Sequence, residues 1–598
     1  MYVLQVYTAS FAFFEALWEA GIAHVFVNLG SDHPSILEAM AKGLKERKQF
    51  PNIITCPNEM VALSMADGYA RLTGKPQCVI VHVDVGTQGL AAAVHNASTG
   101  RAPVLVFAGL SPFTIEGEMR GSRTEYIHWI QDVPDQKQII AQYCRYTGEF
   151  KTGKNVKQIV NRALQFATSA PMGPAYLVGA REVMEEEIEP YSINQNTWNP
   201  VAPAALPQDA IETIADALVS AKQPLVITGY IGRNGNAVSE LVKLANTVKG
   251  LEVLDTGGSD MCFPADHPSW LGLRFGVHDK ITTADVILVI DCDVPWIPTQ
   301  CKPFPSAKIY HIDADPLKQQ MPVFYIPSLA THRVDSETAL KQLNQYISTN
   351  KSFLSTLEGA EYASRRTALE QAHKQRLQSF SDQAITPSGS NAPLNAAYLI
   401  SQIRKTCPID TLWTIEAVTL TGFVADHIQA TFPNSWLNCG GGGLGWSGGA
   451  ALGIKLASDD LAGGSGKGKF VCQIVGDGTY LFSIPGSVYW IARRYNIPIL
   501  TIVLNNKGWN APRRSMLLVH PDGEASRASN EDLNISFVPT PDYAGIAKAA
   551  AGGKLWAGRA GTVEELAELL PQAVQSVLNG TGAVLEAQLE GKEGKYTE

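Results

Sequence analysis

Short apolar runs rich in β-branched residues recur along the chain and predict buried parallel strands. Segments of helical character lie between them. This alternation is typical of proteins in which helices cover a parallel sheet, so we predict an α/β protein with doubly wound sheets. The runs are HVFVNLG (24–30), QCVIVHV (77–83), PVLVFAG (103–109), PLVITG (224–229), DVILVID (285–291), KIYHID (308–313), KFVCQIV (469–475) and PILTIVLN (498–505).

Two polar segments, at residues 186–208 and 381–395, divide this pattern. They are rich in Pro, Asn or Ser, as linkers are. A chain of 598 residues is long enough for three or four domains of about 150 residues each. We predict three doubly wound domains, at residues 1–190, 205–345 and 390–598.

The composition, 45% apolar and 18% charged, is that of a large protein with several cores. A net charge of -9 and the lack of a long basic run argue against nucleic acid or an anionic membrane as the main partner. The nine cysteines lack the spacing of a zinc site. They favour free thiols in a reducing compartment.

Residues 1–21 are apolar but contain Glu15 and Glu19, and they lack a basic n-region. They predict an amphipathic helix rather than a signal peptide. No apolar run approaches the roughly 20 residues that span a bilayer. We therefore expect a cytoplasmic protein that does not bind membranes.

The strongest chemical signal is the GDG sequence Gly476–Gly478 at the end of the strand predicted at 469–475. The next predicted strand ends in Asn505–Asn506, after a crossover helix. Because ligands of open α/β sheets bind at the carboxyl ends of strands, Asp477 and the asparagines should lie side by side. Their oxygens, with phosphate oxygens, suit Mg2+. GDG alone could be a simple turn, but the whole spacing favours a site for Mg2+ and a diphosphate.

This spacing resembles the signature of thiamine-diphosphate-dependent enzymes of the acetolactate synthase and benzoylformate decarboxylase superfamily. In that family the motif Asp, the second Asn and a carbonyl two residues later hold the metal. The resemblance implies Asp477, Asn506 and Gly508 as metal ligands, with Gly476 and Gly478 beside the diphosphate. It also implies thiamine diphosphate and Mg2+ as cofactors.

The segment CGGGGLGWSGGAALGIKLA (439–457) is similar to the family's glycine-rich segment. There a bulky apolar residue supports the bent cofactor, and by position this residue is Leu444. A plain core leucine is the alternative. Gly449 stands where the family often has proline.

The segment CPNEMVALSMADGYARLTGKP (56–76) predicts a helix capped by Asn58, with Glu59 in its first turn. A glutamate there is ordinarily a partner of the helix dipole. The segment is strongly similar to the family's HE-x-x-A…ADGYAR-x-TGKP, whose glutamate bonds the cofactor's pyrimidine N1' and promotes ylid formation. The resemblance assigns this role to Glu59, with Asn58 in place of the usual His.

In the family the two ends of the cofactor are held by different subunits. Glu59 and Asp477 would then belong to different copies of the chain. The resemblance therefore implies a homodimer or homotetramer with active sites at the subunit interface.

The resemblance also brings the loop after the first strand near the reacting carbon. Ser31 and Asp32 are candidate catalytic residues there, and His33 lies beside them. Asp32 or His33 could instead cap the next helix.

His82 stands where benzoylformate-decarboxylase-like members carry a histidine, and a proton carrier of near-neutral pKa is the implied role. Gly86, Thr87 and Gln88 would supply donors from the loop that follows. A buried structural histidine is the alternative for His82.

Gln131 takes the glutamine position of the acetolactate synthases, with His128 three residues earlier. We expect a catalytic role for Gln131 and a structural role for His128. The paired histidines of pyruvate decarboxylase are absent, which weakens a simple decarboxylase interpretation.

Residues 507–534 correspond to a region that closes over the substrate in the family. Trp509, Asn510 and Arg513 are candidates for acceptor specificity. The arginine could hold a carboxylate or could be solvated.

The middle block contains TGYIGRNG (228–235), with glycines spaced as G-x-x-G-x-x-G rather than the dinucleotide-binding G-x-G-x-x-G. Some family members bind FAD or a nucleotide here and many bind nothing. We expect a structural role for this block rather than FAD binding.

The resemblance implies a carboligase or lyase acting on a small 2-oxo acid or aldehyde, similar to acetolactate synthase: ylid addition, loss of CO2 and ligation to a second carbonyl. A non-ligating 2-oxo acid decarboxylase or aldehyde lyase is the main alternative. A catalytically silent regulatory paralogue is a third, and the intact Glu59, Asp477 and Asn506 argue against it.

Overall fold

Three parallel six-stranded sheets form the framework of the chain in a computed structural model that describes residues 6–46, 48–389 and 391–589. The predicted α/β class with doubly wound sheets is confirmed. All eight predicted strands are present, and ten further strands complete the sheets. The boundaries of the three predicted domains stay predictions.

The N-terminal sheet is covered by helices on both faces. Its strands are β1 (His24–Val27), β2 (Asn52–Thr55), β3 (Gln77–Val81), β4 (Val104–Leu110), β5 (Tyr146–Phe150) and β6 (Ala175–Ala180). Its helices are α1 (Ala9–Glu19), α2 (Pro34–Glu46), α3 (Glu59–Thr73), α4 (Val83–Gly89), α5 (Ala91–Thr99), α6 (Ile127–Ile130), α7 (Val156–Thr168) and α8 (Arg181–Met184). The strand order is β2-β1-β3-β4-β6-β5. Because Val25 and Phe26 enter two different apolar clusters, both faces of the sheet are buried.

The helix predicted over residues 1–21 is shorter than expected. It covers Ala9–Glu19, because the Thr8 side chain accepts a hydrogen bond from Phe11 N and caps it. Residues 1–5 lie outside the described range. Asn58 caps α3 as predicted, accepting from Val61 N at 3.3 Å.

The central sheet has the order β12-β11-β10-β7-β8-β9. Its strands are β7 (Pro224–Thr228), β8 (Glu252–Asp255), β9 (Trp270–Leu273), β10 (Val286–Ile290), β11 (Lys308–Asp313) and β12 (Ala330–Arg333). The helices are α9 (Gln208–Ser220), α10 (Gly235–Thr247), α11 (Asp279–Thr283), α12 (Ser336–Thr349), α13 (Lys351–Leu357) and α14 (Ala360–Gln383).

The C-terminal sheet repeats the topology of the N-terminal one. Its strands are β13 (Leu412–Glu416), β14 (Trp436–Asn438), β15 (Val471–Gly476), β16 (Leu500–Asn505), β17 (Trp556–Ala560) and β18 (Ala583–Gln588). Its helices are α15 (Ala396–Thr406), α16 (Thr421–Ile428), α17 (Trp446–Leu461), α18 (Asp477–Phe482), α19 (Pro485–Arg494), α20 (Asn510–Val519), α21 (Glu524–Arg527), α22 (Tyr543–Ala550) and α23 (Val563–Leu578). The order β14-β13-β15-β16-β18-β17 is that of the N-terminal sheet, strand for strand.

Helices α3 and α17 join the first and third domains through a closely packed contact. A Cβ at Gly449 would lie 2.7 Å from Val61 O, and one at Gly453 would overlap the carbonyl oxygen of Met65. The glycines of the GGAALG sequence are therefore needed for the close approach of the two helices.

All nine cysteines are free thiols, as the sequence predicts. No helix in the described ranges is both long enough and apolar enough to cross a bilayer. The cytoplasmic location stays a prediction.

Candidate active site

Asp477 and Asn506 lie at the carboxyl edge of the C-terminal sheet, on strands that are hydrogen-bonded neighbours. Gly476, the last residue of β15, pairs with Leu504 near the end of β16. The predicted adjacency is therefore present in the structure. The segment after Gly476 differs from the prediction, because Asp477 begins α18 and a left-handed Ile484 (φ 55°) separates that helix from α19.

The Asp477 carboxylate is buried and held by two backbone donors. Gly478 N donates to it at 2.7 Å and Gly508 N at 3.1 Å. Burial nonetheless raises the pKa of Asp477 to about 6. A cation beside the carboxylate would favour its ionised form.

Asp477, Asn506 and Gly508 meet at this point. The Asn506 amide nitrogen donates to Gly508 O at 3.0 Å and to the two carboxylate oxygens of Asp477 at 3.1 and 3.3 Å. Turned by 180°, the amide would present its oxygen there instead, and the three oxygens would then face a cation. Gly508 has a φ of 156°, and a side chain there would overlap Ile535 O.

These oxygens fit Mg2+. An octahedral shell with bonds of about 2.0–2.1 Å places neighbouring ligand oxygens about 3 Å apart. In the described ranges no three His, Cys, Asp or Glu side chains are grouped to hold a metal. A site here would therefore combine Asp477, Asn506 and the Gly508 carbonyl with oxygens of a bound group.

A cavity of about 570 Å³ opens beside the oxygen cluster. Leu444 lines it, as expected of the residue that would support the cofactor. Gly476 also lines it, and a Cβ there would have only the Thr479 hydroxyl within 4 Å, at 3.9 Å. Gly478 lines it too, and a Cβ there would overlap the indole of Trp509, which is another residue of the cavity wall.

Glu416 is a cavity residue that the sequence did not reveal. It ends β13, is 3% exposed, and accepts from Gly445 N at 3.0 Å, Trp446 N at 3.3 Å and Ser447 N at 2.8 Å. Burial raises its pKa to about 7 despite these bonds. The apolar run LWTIE, which ends in this glutamate, could have indicated the strand but was not predicted as one.

The glycine-rich loop before α17 is held by helix α5 of the N-terminal domain. Asn96 donates to Gly443 O at 2.7 Å and accepts from Gly443 N at 2.9 Å. His95 accepts from Gly442 N at 3.0 Å. These contacts fix the loop that presents Leu444 to the cavity.

Glu59 does not line this cavity within one chain. It is half-buried at the start of α3, and Asn28 at the end of β1 donates to its carboxylate at 2.7 Å. Gly89 packs against it, since a Cβ there would lie 2.9 Å from Glu59 Oε2. No residue of the N-terminal sheet or its helices reaches the cavity wall in the same copy.

Buried Asp32 and half-buried His82 form a pair at the carboxyl edge of the N-terminal sheet. His82 Nδ1 donates to Asp32 at 2.5 Å, and Val83 N donates to the same carboxylate at 3.2 Å. Asp32 therefore bonds the first residue of α4 rather than capping the helix that follows it in sequence. The strained backbone of Val83 (φ 28°) is characteristic of functional positions.

The surroundings of the pair shift the pKa values of both residues. The hydrogen bond to Asp32 is the main reason why the pKa of His82 is raised, although burial opposes it. Burial would raise the pKa of Asp32, but His33 and His82 outweigh it and hold it below its ordinary value. His33 is buried, and burial lowers its pKa.

The other N-terminal candidates gather around this pair. Gln131 is buried, and its side chain is a further hydrogen-bond partner of His82. Ser31 Oγ lies 3.2 Å from His128 Nε2, and His128 also contacts Arg181 at 3.3 Å. Burial and Arg181 lower the pKa of His128.

Gly86, Thr87 and Gln88 lie in a helix rather than in the expected loop, and their role as donors stays a prediction. Residues 83–89 form helix α4, whose hydrogen bonds use those N–H groups; Gly86 N donates to His82 O at 2.6 Å. The Thr87 hydroxyl is buried and donates to Val83 O at 2.7 Å.

The segment after the oxygen cluster places an aromatic wall beside the cavity. The rings of Phe482 and Trp509 lie 5.7 Å apart, and those of Trp509 and Phe537 4.9 Å apart. Asn510 also lines the cavity, whereas Arg513 donates to Ala528 O and Asn530, both at 3.1 Å.

The chain matches three models of thiamine pyrophosphate enzymes in the expected order. The N-terminal TPP binding domain matches residues 7–139, the central domain residues 211–323 and the C-terminal TPP binding domain residues 417–585.

Curated relatives are distant but similar over most of the chain. The acetolactate synthase isozyme 3 large subunit of Escherichia coli (strain K12) is 24% identical over 90% of this chain and 88% of its own. The 2-hydroxyacyl-CoA lyase 2 of Mus musculus is 22% identical over 83% of this chain and 78% of its own.

A solved structure shares the fold. The thiamine diphosphate-dependent 4-hydroxybenzoylformate decarboxylase of Rhodococcus jostii RHA1 superimposes with a TM-score of 0.76 at 22% identity, covering 98% of this chain and 100% of that one.

Proposed function

Because the chain belongs to the thiamine pyrophosphate enzymes, we propose that it is a carboligase or lyase that acts on a 2-oxo acid or aldehyde. Its cofactor is thiamine diphosphate, and Mg2+ is the usual metal of the family. The observation that carries the proposal is the cluster of Asp477, Asn506 and Gly508 oxygens on the wall of a large cavity.

When bound, thiamine diphosphate supplies the nucleophilic carbon and the electron sink for chemistry next to a carbonyl. Asp477, Asn506 and the Gly508 carbonyl would hold Mg2+ and, through it, the diphosphate. Leu444 would contact the cofactor from the cavity wall. The backbone bonds to Asp477 keep its carboxylate oriented before either group binds.

Glu59 would bond the pyrimidine ring and move a proton at N1'. Its bond from Asn28 holds the carboxylate in place. Since no described residue of the N-terminal domain lines the cavity in the same copy, Glu59 of one subunit would complete the cavity of another. This supports a homodimer or a larger homo-oligomer as the active form.

His82 would act as the proton carrier for the substrate. Its raised pKa favours a protonated ring near neutral pH, and the bond to Asp32 fixes Nδ1 as the donor to the carboxylate. Gln131 and Ser31 would orient polar groups of the substrate. These residues lie together on one edge, as a site for a single small carbonyl compound requires.

The cavity supports ligation as the main reaction. Phe275, Phe482 and Trp509 give it an apolar wall, which can bind the apolar substituent of a second carbonyl compound. Phe275 comes from the central domain and was not predicted. We therefore propose transfer of an acyl unit, with loss of CO2 from a 2-oxo acid donor, to a second carbonyl compound with an apolar substituent.

Release of an aldehyde without ligation is the second candidate. The observation that favours it is the Asp32–His82 pair, because a proton donor beside the reacting carbon ends the reaction before an acceptor adds.

The test is incubation with Mg2+, thiamine diphosphate and a panel of 2-oxo acids, with and without aldehydes, followed by mass spectrometry of the products. A product lengthened by the donor's acyl unit, with CO2 released, supports ligation. Aldehyde alone identifies the second candidate.

Glu59→Gln is the matched control, because it should abolish turnover while cofactor binding persists. Activity in this variant would refute the role of Glu59. A wild-type protein that binds the cofactor but converts no donor would refute the enzyme proposal and favour a silent regulatory paralogue.

A further inference from the structure

The glycine-rich turn after β7, at residues 228–235, lies where the central sheet would bind a nucleotide. In the order β12-β11-β10-β7-β8-β9 the connections diverge between β10 and β7, and ligands of open α/β sheets bind at such a point. Residues of the N-terminal domain occupy this crevice.

Arg101, two residues after α5, fills the crevice with its guanidinium group. It is paired with Asp293 at 2.8 Å and with Asp313 at 3.3 Å, and it lies 4.4 Å from the centre of the Tyr230 ring. Lys318 pairs with the same two aspartates. The positively charged side chains of Arg101 and Lys318 therefore lie at the carboxyl ends of β10 and β11.

The first two backbone donors after β7 are already used. Gly229 N and Tyr230 N both donate to Asp291 O, at 3.1 and 2.8 Å. A Cβ at Gly257 would lie 2.7 Å from the Gly229 Cα, so the loops after β7 and β8 are in contact. Gly229 and Tyr230 therefore offer no free N–H group to a diphosphate, and the contact between the two loops fills the space beside Gly229.

The crevice instead binds the carboxyl end of α5. Tyr230 donates its hydroxyl to Thr99 O at 3.0 Å, and Arg233 donates to Gly100 O at 2.8 Å and to Arg101 O at 3.2 Å. The last carbonyls of a helix lack partners within it and carry partial negative charge. A tyrosine and an arginine satisfy them here.

Helix α5 also carries His95 and Asn96, which hold the glycine-rich loop that ends at Leu444. Gly100 and Gly440 are in backbone contact beside them. A continuous set of contacts thus runs from the central crevice through α5 to the cofactor cavity.

We propose that the central crevice is an internal receptor for Arg101 and the carboxyl end of α5, not for a nucleotide, and that Arg101 is a positioning residue for the cofactor loop. The proposal depends on the cofactor and not on the reaction proposed above. It predicts that removing the ion pairs of Arg101 weakens the binding of thiamine diphosphate in the distant cavity.

The test compares Arg101→Ala, Arg101→Lys and Asp293→Asn with the wild type. The dissociation constant for thiamine diphosphate at saturating Mg2+ is measured on the apo-protein by calorimetry, with circular dichroism as a check of the fold. We expect Arg101→Ala to weaken binding about tenfold, within the usual range of coupling between sites. Arg101→Lys should restore part of the affinity, and Asp293→Asn added to Arg101→Ala should cost little more than either alone.

Arg366 is a half-buried arginine of α14 that pairs with Glu370 and donates to Asn246. Arg366→Ala is the matched control and should bind thiamine diphosphate as the wild type does. An unchanged dissociation constant in Arg101→Ala, or in Arg101→Lys and Asp293→Asn if the alanine variant does not fold, would overturn the positioning role. Equilibrium dialysis with ADP and FAD tests the crevice. Binding of either by the wild type would overturn its assignment as an internal receptor, and no binding supports it.

Discussion

Replacing Glu416 by glutamine should change the stability of the apo-protein by an amount that depends on pH. The carboxylate is buried, and three backbone N–H groups at the start of α17 donate to it. Burial raises its pKa from 4.5 to about 7. Glutamine keeps the shape and one acceptor oxygen but does not titrate.

The sign and size follow from linkage. A group whose pKa is higher in the folded state contributes stability that is full below its unfolded pKa of 4.5 and is lost as the pH rises through 7. At about 1.4 kcal/mol per pKa unit, the wild type should lose about 2.5 kcal/mol between pH 5 and pH 8 from this group alone. The other titrating groups are common to both proteins, so the difference between variant and wild type isolates Glu416.

The assay is urea unfolding of apo wild type and Glu416→Gln at pH 5, 6, 7 and 8. The stability of the variant relative to the wild type should rise by about 2.5 kcal/mol across the series. Glu568→Gln, an exposed glutamate of α23, should show a constant difference. A difference between Glu416→Gln and wild type that stays constant within about 0.5 kcal/mol would refute the raised pKa and the reasoning from burial.

Three further predictions address the site and the packing around it. Mixing the inactive Glu59→Gln and Asp477→Ala variants under exchange conditions should restore about a quarter of wild-type activity, because half of the dimers would be mixed and each would hold one intact site. Asp32→Asn removes the main cause of the raised pKa of His82, so the alkaline limb of the kcat–pH profile should move to lower pH. Gly453→Ala should lower the free energy of unfolding in urea by about 1–3 kcal/mol, because the added methyl overlaps a carbonyl oxygen of the facing helix.

Each of these has a control. No activity from the mixed variants, although they exchange subunits, would exclude a site shared between copies. An alkaline limb that Asp32→Asn leaves in place would exclude His82 as its source. Gly486→Ala, where nothing lies within 4 Å of the added methyl, should not destabilise the protein; an equal loss from it would show that Gly453 is not a special contact.

The strands that the sequence predicts are those with uninterrupted apolar runs, such as Val286–Ile290, which is buried throughout. The edge strand Ala330–Arg333 escaped prediction because its side chains are partly or fully exposed and include polar residues. Leu412–Glu416 is fully buried but ends in a glutamate, which hides it among polar positions. The hydrophobic pattern alone therefore predicts the central strands of a sheet better than its edge strands.

The same limit decides which site residues could be found. Asp477 and Asn506 could be placed side by side from the sequence because both follow recognised neighbouring strands. The contact between Asp32 and His82 was not predicted, because it requires β1 and β3 to be adjacent in the sheet. The sequence of neither segment indicates that pairing. Phe275 reaches the cavity from another domain, and no local pattern predicts that.

In all three sheets, charged side chains gather where the chain connections diverge, at the carboxyl ends of the strands. In the order shared by the first and third sheets, the chain leaves β1 and β13 toward one side and β3 and β15 toward the other, which opens a crevice between the two strand ends. Asp32 and His82 flank this crevice in the first domain, and Glu416 and Asp477 flank it in the third.

In the central domain the equivalent opening between β7 and β10 holds Arg101, so a crevice that topology makes available is filled from within the chain. A strand order therefore determines where chemistry can be placed, and the side chains at the strand ends determine what is placed there. In this chain they are the Asp32–His82 pair in the first domain, Asp477 with the proposed metal ligands in the third, and between them the contacts of Arg101, which connect the central domain to the glycine-rich loop. If those contacts are as important as the ion pairs around Arg101 indicate, substitutions in the central crevice should change cofactor affinity without touching the cofactor.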